Sequence, residues 1–200
     1  MISKALPIII STLGCAFLAI ALAPGGSPFE FRKPLEFPEP VVQRDAEPDA
    51  LSPEQARLAE HLAAKYSKPL ELVQTAVRSA WREAQVHNLS PLLVLAIIET
   101  ESGFRHQVVN TYGAMGLMQV VPRWHPEKLS PFEESSQLLN PEVNIRVGTQ
   151  ILAEYLERKN GNLPRALAKY SGGASSYYEK VQRHKRVLQQ KLKTAADAEA

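Results

Sequence analysis

Two glutamates, Glu99 and Glu101, come after the apolar run PLLVLAII at residues 91–98. An apolar helical segment is usually buried, so a carboxylate at its end must be exposed, paired with a partner, or held neutral for a purpose. Because two positions along a helix differ by about 200° of rotation, the two side chains cannot face one cleft. Only one of these glutamates can serve as a working acid.

Glu101 is the better candidate because it lies at the predicted C-terminal end of this helix. The negative end of the helix dipole and low-dielectric surroundings both disfavour an ionised carboxylate there, which predicts a raised pKa for Glu101. A carboxylic acid that stays protonated near neutral pH can deliver a proton to a glycosidic oxygen. From this stretch alone, the simpler interpretation is that Glu101 is a solvated residue at a helix end. The residues that follow it decide between this interpretation and a catalytic acid.

A glycine-containing segment, GAMGLMQV at residues 113–120, follows the glutamates. Gly113 and Gly116 permit tight turns and allow a substrate to approach the backbone closely, or they mark only a structural turn. Gln119 supplies the one side-chain amide of the segment. No Gly-Lys-Ser/Thr sequence follows and no strand precedes it, which excludes a phosphate-binding loop.

The positions of proline predict where four helices begin. In LSPEQ, a serine caps the helix, proline takes the first helical position, and Gln55 completes a capping box. The segments YSKPLE, LSPLL and LNPEVN repeat the signal. The candidate caps are Ser52, Ser67, Ser90 and Asn140.

The apolar residues follow helical periodicity in most of the chain after Leu51. The helix near Pro69 carries the apolar stripe Leu70, Val73, Val77, Ala80 and Ala84, and the helix from Pro91 is apolar nearly all round, which predicts a central, buried position. A helix from Pro141 to about Lys159 carries the stripe Val143, Val147, Ile151 and Tyr155. A short helix through LPRALAKY and a basic helix from about Ser175 follow. The predicted fold is mainly α, with at most a short hairpin at residues 113–120.

Composition excludes several classes of protein. With 200 residues and 44% hydrophobic residues, one domain with a real core is expected, and a net charge of +2 gives no reason to predict a nucleic-acid partner. The single cysteine, Cys15, lies in the first apolar run, so the folded region holds no disulfide or thiolate metal site. His106 and His125 fit no zinc spacing and are expected at the surface. No metal or cofactor is predicted.

The N-terminal part of the chain predicts export. Residues 1–23 are mostly apolar and end in ALA before proline and two glycines, which fits either a cleaved signal peptide or an anchor in the inner membrane. Residues 24–50 are crowded with proline and charge and predict a disordered linker. Residues 51–190 form the predicted domain and residues 191–200 a tail. The periplasm is the expected compartment.

Several separate motifs resemble one known family. The sequences ESGF at residues 101–104 and GAMGLMQ at residues 113–119, followed by a proline, are similar in order and spacing to the catalytic core of the soluble lytic transglycosylase (SLT) family. NPEVNIRVGTQILAEYL at residues 140–156 and ALAKYSGG at residues 166–173 resemble further motifs of that family. The likeness covers about residues 85 to 185.

This resemblance implies a lysozyme-like, mostly helical domain that acts on peptidoglycan glycan strands. It implies cleavage of the β-1,4 bond between N-acetylmuramic acid and N-acetylglucosamine, with 1,6-anhydromuramoyl ends as products and Glu101 as acid and then base. The residues implied to line the site and bind the substrate are Ser102, Met118, Gln119 and Tyr170. Ser171 and Asn110 depart from the family pattern, which usually has Asn and Ser there.

Two other functions fit the same fold. A hydrolytic muramidase normally needs a second carboxylate or an activated water. Because no Asp occurs between residues 51 and 196, a carboxylate partner would be a Glu, and Glu133 and Glu134 are the nearest candidates. A non-catalytic wall-binding module would keep the fold without the chemistry. Trp124 would either stack on a sugar or cover the edge of the core. The basic segment at residues 180–193 is left without a function.

A chain shortened to begin at Leu51 is expected to fold and to stay active, because residues 24–50 lack the periodic apolar positions of a folded segment. Circular dichroism and thermal unfolding of the shortened and full chains check this expectation, and equal melting temperatures are predicted. Loss of folding on shortening would show that the linker belongs to the domain. Sequencing the N-terminus of the mature protein distinguishes a cleaved signal from a retained anchor.

Overall fold

The computed structural model describes residues 50–132 and 134–197. The apolar N-terminal segment with Cys15, the linker up to residue 49, and Glu133 lie outside the described residues, so the expectations for them stay predictions. Within the described part, no helix is both long enough and apolar enough to cross a membrane.

The described chain consists mainly of helices, as predicted. The helices are α1 (Pro53–Tyr66), α2 (Leu70–Val86), α3 (Pro91–Glu101), α4 (Pro126–Leu129), α5 (Pro141–Arg158), α6 (Leu163–Tyr170) and α7 (Tyr177–Asp197). Short 3-10 turns cover Pro122–Trp124 and Ser135–Leu139. Among the described residues, β structure is limited to the antiparallel bridges Val109–Met115 and Met115–Val120. Residues 191–197, predicted as part of a tail, continue α7.

All four predicted helix starts are confirmed, but the predicted caps differ in outcome. Ser52 forms the capping box with Gln55, and the Asn140 side chain accepts from two backbone N–H groups of the first turn of α5. Ser90 stands at the N-cap of α3 without a side-chain cap hydrogen bond. The prediction for Ser67 is wrong. Ser67 instead forms the C-cap of α1 in the left-handed conformation. The connection to α2 is short, and Pro69 takes the N-cap position of that helix.

Helix α3 forms the centre of the main core, which confirms the prediction from its all-round apolar sequence. Its residues 92–98 are buried, and it packs against α2 and α7. Helix α1 packs on the same two neighbours, and α5 packs on α2 and α6. Each large apolar side chain buried in this way stabilises the fold by about 1.5–3 kcal/mol. The end of α3 is therefore held firmly against α7.

A second, smaller apolar cluster fastens the long segment between α3 and α5. Its buried members are Val120, Leu138, Val147 and Ile151, and partly buried side chains that include Val143 and Tyr155 pack against it. The stripe predicted on α5 is confirmed, because all four of its residues belong to this cluster or pack on it. The segment around residues 113–120 is thereby placed against α5.

One buried amide, Asn144 on α5, fixes the backbone of this segment. Asn144 is 0% exposed; its Oδ1 accepts from Met118 N at 2.7 Å, and its Nδ2 donates to Met115 O at 2.8 Å and to Leu138 O at 2.7 Å. Gly116 has a φ of +74°, and a Cβ there would overlap the Asn144 amide and the Leu138 carbonyl. The close approach of loop and helix therefore requires glycine at residue 116.

Asn144→Ala is expected to lower the free energy of unfolding by about 3 kcal/mol, because it leaves one N–H and two carbonyl groups without their buried partner. Gln137→Ala, at an exposed residue of the same region, is the control and is expected to change stability by less than about 0.5 kcal/mol. Urea unfolding followed by circular dichroism measures both. Equal stability of the two variants would contradict the role given to Asn144.

Candidate active site

The C-terminal end of α3 opens into a cavity of about 300 Å³ that Glu101 lines. The segment between α3 and α4 supplies one wall, and the end of α6 and the start of α7 supply the other. The residues that line this cavity include Glu101, Asn110, Gln119, Trp124, Tyr170, Ser171, Tyr177 and Lys180.

Glu101 is a largely buried carboxyl group with one strong hydrogen bond. Tyr177 OH donates to Glu101 Oε1 at 2.6 Å, a short distance for a hydrogen bond between two oxygens. Burial raises the pKa of Glu101, while the Tyr177 hydrogen bond and the Lys180 charge oppose that rise. The direction is the one predicted from its place at the helix end, and removal from water is the largest cause.

Tyr177 and Lys180 are site residues that the sequence analysis missed. Burial and the neighbouring Glu101 charge raise the pKa of Tyr177, so it stays a neutral hydrogen-bond donor. The two residues are three positions apart on α7 and therefore face the same side of the helix. That spacing, at the start of the basic helix predicted from about Ser175, was the available signal.

Two of the predicted substrate-binding residues, Gln119 and Tyr170, line the cavity with Glu101. Gln119 has a φ of +50°, and its Nε2 donates to Gly116 O at 2.9 Å. Tyr170 OH donates to Met118 O at 3.0 Å. Burial first, and the Glu101 charge next, raise the pKa of Tyr170 well above its ordinary value. The structure brings these three residues together.

The side chains of the other two, Ser102 and Met118, do not line the cavity. Ser102 is 2% exposed, follows the last turn of α3, and donates to Ile98 O at 3.3 Å. Met118 is 0% exposed, and its Sδ accepts from Thr149 Oγ1 at 3.9 Å. The hydrogen bond from Met118 N to Asn144 Oδ1 holds this residue against α5, and its side chain points toward that helix. Met118 reaches the site through its carbonyl, which orients Tyr170.

Glu99 faces away from the cavity, as the helical rotation predicts. Its Oε1 accepts from Lys65 Nζ at 2.7 Å and from Tyr66 OH at 2.8 Å. His184 Nδ1 lies 3.3 Å from Glu99 Oε2, within ion-pair distance but not aligned for a hydrogen bond. Burial lowers the pKa of His184, and the Glu99 charge opposes that effect. Glu99 thus joins α3 to α1 through an ion pair and a tyrosine hydrogen bond, and it lies next to His184 of α7.

The two residues that depart from the family pattern have local structural roles beside the cavity. Asn110 Oδ1 accepts from Tyr112 N at 2.9 Å and from Ala114 N at 3.0 Å, which closes a turn in the wall. Ser171 Oγ donates to Ala168 O at 3.3 Å at the end of α6. Both lie where they shape the wall next to Glu101.

A second cavity of about 280 Å³ lies next to the first and shares Gln119, Trp124 and Tyr170 with it. Trp124 is 60% exposed, so it presents a ring to the solvent side of both cavities instead of covering the core. The prediction that His125 is a surface residue is wrong. Its side chain is 12% exposed and packs on Tyr155, because the ring fills the wall of the second cavity.

No second carboxylate joins Glu101 among the described residues that line these two cavities. Glu134 is exposed, and its Oε2 accepts from Ser136 Oγ at 2.9 Å. Glu133 lies outside the described residues. His106 is partly exposed. Within residues 50–132 and 134–197 no group of three His, Cys, Asp or Glu residues could hold a metal ion.

Comparisons with known proteins all point to the same family. A family model described as "Transglycosylase SLT domain" matches residues 79–193. The chain is 34% identical over 110 residues to the membrane-bound lytic murein transglycosylase C of Actinobacillus pleuropneumoniae, covering 50% of this chain and 28% of that protein. It is 33% identical over 91 residues to the soluble lytic murein transglycosylase of Salmonella typhimurium, covering 43% and 14%.

A further relative is the transglycosylase of Enterobacteria phage PRD1, 34% identical over 89 residues, which cover 44% of this chain and 31% of that protein. The matches thus span less than a third of these relatives' lengths. A solved structure of an inactive variant of the lytic transglycosylase Slt from Pseudomonas aeruginosa has a TM-score of 0.55. It is 24% identical and covers 70% of this chain and 30% of that one. This likeness confirms the mainly α, lysozyme-like fold.

Substitutions of the two glutamates are expected to change stability in opposite directions. Because the folded-state pKa of Glu101 lies above its ordinary value near 4.5, ionising this group costs stability as pH rises through that folded-state pKa. Glu101→Gln should therefore raise the melting temperature at pH 7, with the gain shrinking toward pH 4. Glu99→Gln should lower stability by about 2 kcal/mol at pH 7, because it breaks a buried ion pair whose partners are partly exposed. Thermal unfolding at both pH values measures the two effects, and a destabilised Glu101→Gln at pH 7 would contradict the raised pKa of Glu101.

Proposed function

The chain belongs to the transglycosylase SLT domain family, and we propose that it is a peptidoglycan lytic transglycosylase. The proposed reaction cleaves the β-1,4 bond between N-acetylmuramic acid and N-acetylglucosamine without consuming water. Similar proteins carry the name lytic murein transglycosylase, which supports the substrate class. The matches span less than a third of those relatives' lengths.

The observation that carries the proposal is the environment of Glu101. It is the one carboxyl group of the described residues that lines the two cavities, it is largely buried, and burial raises its pKa. Because Tyr177 donates to Oε1, that oxygen acts as the acceptor and the acidic proton of the neutral form belongs on Oε2. Such a group is suited to protonating a leaving glycosidic oxygen.

In the first step Glu101 gives its proton to the glycosidic oxygen, and the bond from that oxygen to the muramoyl C1 breaks. The muramoyl ring becomes oxocarbenium-like, and its own N-acetyl carbonyl can stabilise C1, so no protein nucleophile is required. Glu101 is then a carboxylate. The Tyr177 hydrogen bond and the Lys180 charge stabilise this ionised form, in keeping with their opposition to the raised pKa of Glu101.

In the second step the 6-hydroxyl of the same sugar attacks C1 while Glu101 takes the hydroxyl proton. The product is a 1,6-anhydromuramoyl end, and Glu101 returns to its protonated state, so no water or cofactor enters the balance. The attacking group belongs to the substrate, and an intramolecular attack needs no separately bound nucleophile. One residue with a poised pKa therefore serves as acid and then as base.

The cavity walls offer contacts for the sugars. The exposed ring of Trp124 can stack on an apolar sugar face, and the Gln119 amide can bind hydroxyl or acetamido groups. Tyr170 contributes its ring and is held in place by the Met118 carbonyl. Ser102 and Met118 contribute by positioning the end of α3 and Tyr170, not through side-chain contact with substrate.

The same proposal implies a location outside the inner membrane, where peptidoglycan lies. Residues 1–23 would supply the export signal or the inner-membrane anchor, with the periplasm as the site of action. A protein released from membranes by salt or present in the soluble periplasmic fraction would support the cleaved signal. Recovery only with detergent would support the anchor.

Digestion of purified peptidoglycan followed by mass spectrometry tests the reaction. Muropeptides lighter by one water than the hydrolysis product are expected, with no oxygen incorporated from labelled water. Glu101→Gln should lower the rate by at least about 100-fold, because an amide cannot deliver the proton. Glu99→Gln, assayed well below its melting temperature, is the matched control and should lose far less.

Other outcomes of the same experiment identify the alternatives. Ordinary reducing muramic acid ends carrying the labelled oxygen would refute the lytic reaction and favour a muramidase that uses Glu133 or Glu134. Binding to peptidoglycan without any cleavage by the wild-type chain would favour a wall-binding module.

A further inference from the structure

A third cavity lies at the end of α3 that is far from Glu101. Its volume of about 510 Å³ exceeds that of either cavity beside Glu101, and it lies between the start of α1, the middle of α2 and the start of α3. Pro91, the first residue of α3, lines it, whereas Glu101 is the last residue of that helix. Ten helical positions separate the two residues by about 15 Å. This third cavity is therefore distinct from the site of the proposed reaction.

The polar lining of the third cavity is cationic. Arg78 and Arg82 line it together with two glutamine amides, and its described lining includes no carboxylate. Arg82 Nε donates to Glu83 Oε1 at 3.1 Å, but the same oxygen lies 3.8 Å from Arg146 Nε, so one carboxylate serves two arginines. A concave surface lined by cations attracts an anionic group.

The middle of α2 gives this surface a regular spacing. Arg78 and Arg82 are four positions apart, so they lie on the same face of the helix with their Cβ atoms about 6 Å apart. Trp81 lines the cavity beside them, and the inner part of its ring packs on the main core. The cavity therefore offers two cations next to a fixed aromatic surface.

The chain enters the domain at this cavity. Ala50, the first described residue, is part of its lining. The segment directly before it, QRDAEPD at residues 43–49, carries Asp45, Glu47 and Asp49 against one arginine. Alternate positions of an extended chain face the same side and are about 6.6 Å apart, close to the spacing of the two arginines on α2. The linker end and the cavity are thus complementary in charge and in spacing.

We propose that the acidic end of the linker, residues 45–49, docks in the third cavity and pairs with Arg78 and Arg82. The proline within this segment favours an extended residue before it and can pack on the indole ring. A segment tethered directly beside its site has an effective concentration in the millimolar range, which favours it over the same segment of a second copy. The linker then leaves the domain at the end of α3 opposite to Glu101, and the Glu101 cavity stays open.

This docking is electrostatic, so it requires none of the apolar periodicity that the linker lacks. Ion pairs that solvent can reach add little to the free energy of unfolding. Docking is therefore expected to change the accessibility of the linker while leaving the melting temperature close to that of the shortened chain. It should weaken as salt is raised.

Trypsin cleavage of the full chain measures the docking. The bond after Arg44 lies directly before the docked segment, and the bond after Arg32 in the same linker is an internal reference. A protease holds residues on both sides of the bond that it cuts, so docking slows cleavage after Arg44 and leaves cleavage after Arg32 unchanged. The ratio of the first rate to the second is expected to be about three- to five-fold lower at low salt than at high salt.

Variants of the cavity identify where the linker docks. Arg78→Gln combined with Arg82→Gln should raise the low-salt ratio to the high-salt value, although the linker sequence is unchanged. Arg165→Gln, which removes an exposed arginine outside the cavity, is the control and should keep the wild-type ratio. An unchanged ratio in the double variant would overturn the proposal. A ratio that depends on protein concentration would also overturn it, because the occupant would then be the linker of a second copy.

A matching change in the linker covers the case in which the cavity variants fold poorly. Glu47→Gln combined with Asp49→Asn changes no residue of the described fold and should abolish the salt dependence of the ratio. Adding the two cavity substitutions to this variant should produce no further change, which completes a double-mutant cycle. A salt dependence that persists after the linker is neutralised would refute docking through these carboxylates.

Discussion

The burial of α3 is the constraint on which the rest of the structure depends. Because its residues 92–98 are enclosed by neighbouring helices, the two glutamates that follow them cannot both reach water. Helical rotation sends Glu99 toward α1 and α7 and Glu101 toward the cavity. The same burial therefore produces one ion-paired carboxylate and one carboxyl group with a raised pKa.

Helix α7 carries residues that contact both Glu99 and Glu101. His184 lies against Glu99. Lys180 is one turn earlier on the helix and Tyr177 two turns earlier, and both face Glu101. Packing of α3 on α7 therefore places His184 beside Glu99 and also positions the helix that supplies the hydrogen bond to Glu101. The two glutamates, two positions apart, act oppositely on stability: Glu99 is bound by Lys65 and Tyr66, whereas burial makes the ionised form of Glu101 costly.

The opposite wall depends on polar contacts with α5. Asn144 bonds three backbone groups between α3 and α5, at Met115, Met118 and Leu138, and so replaces hydrogen bonds that a sheet would supply. This explains how the segment keeps a defined shape although β structure in its described residues is limited to two isolated bridges. Gly116 permits that approach. Tyr170 then takes its position from the Met118 carbonyl, so the loop, α5 and α6 together determine where the wall stands relative to Glu101.

The sequence by itself determined the features that depend on neighbours in the chain. Proline and capping residues set the helix starts, apolar periodicity set the buried faces, and the position of Glu101 after an apolar helix predicted a raised pKa. Only the tertiary structure decided that Tyr177 binds Glu101 across 76 positions and that Tyr170 binds Met118 across 52. It also buried Ser102 and Met118 and left His125 only partly exposed, in the wall of the second cavity. Such contacts arise when helices distant in sequence pack together, and local spacing carries no record of which side chains then meet.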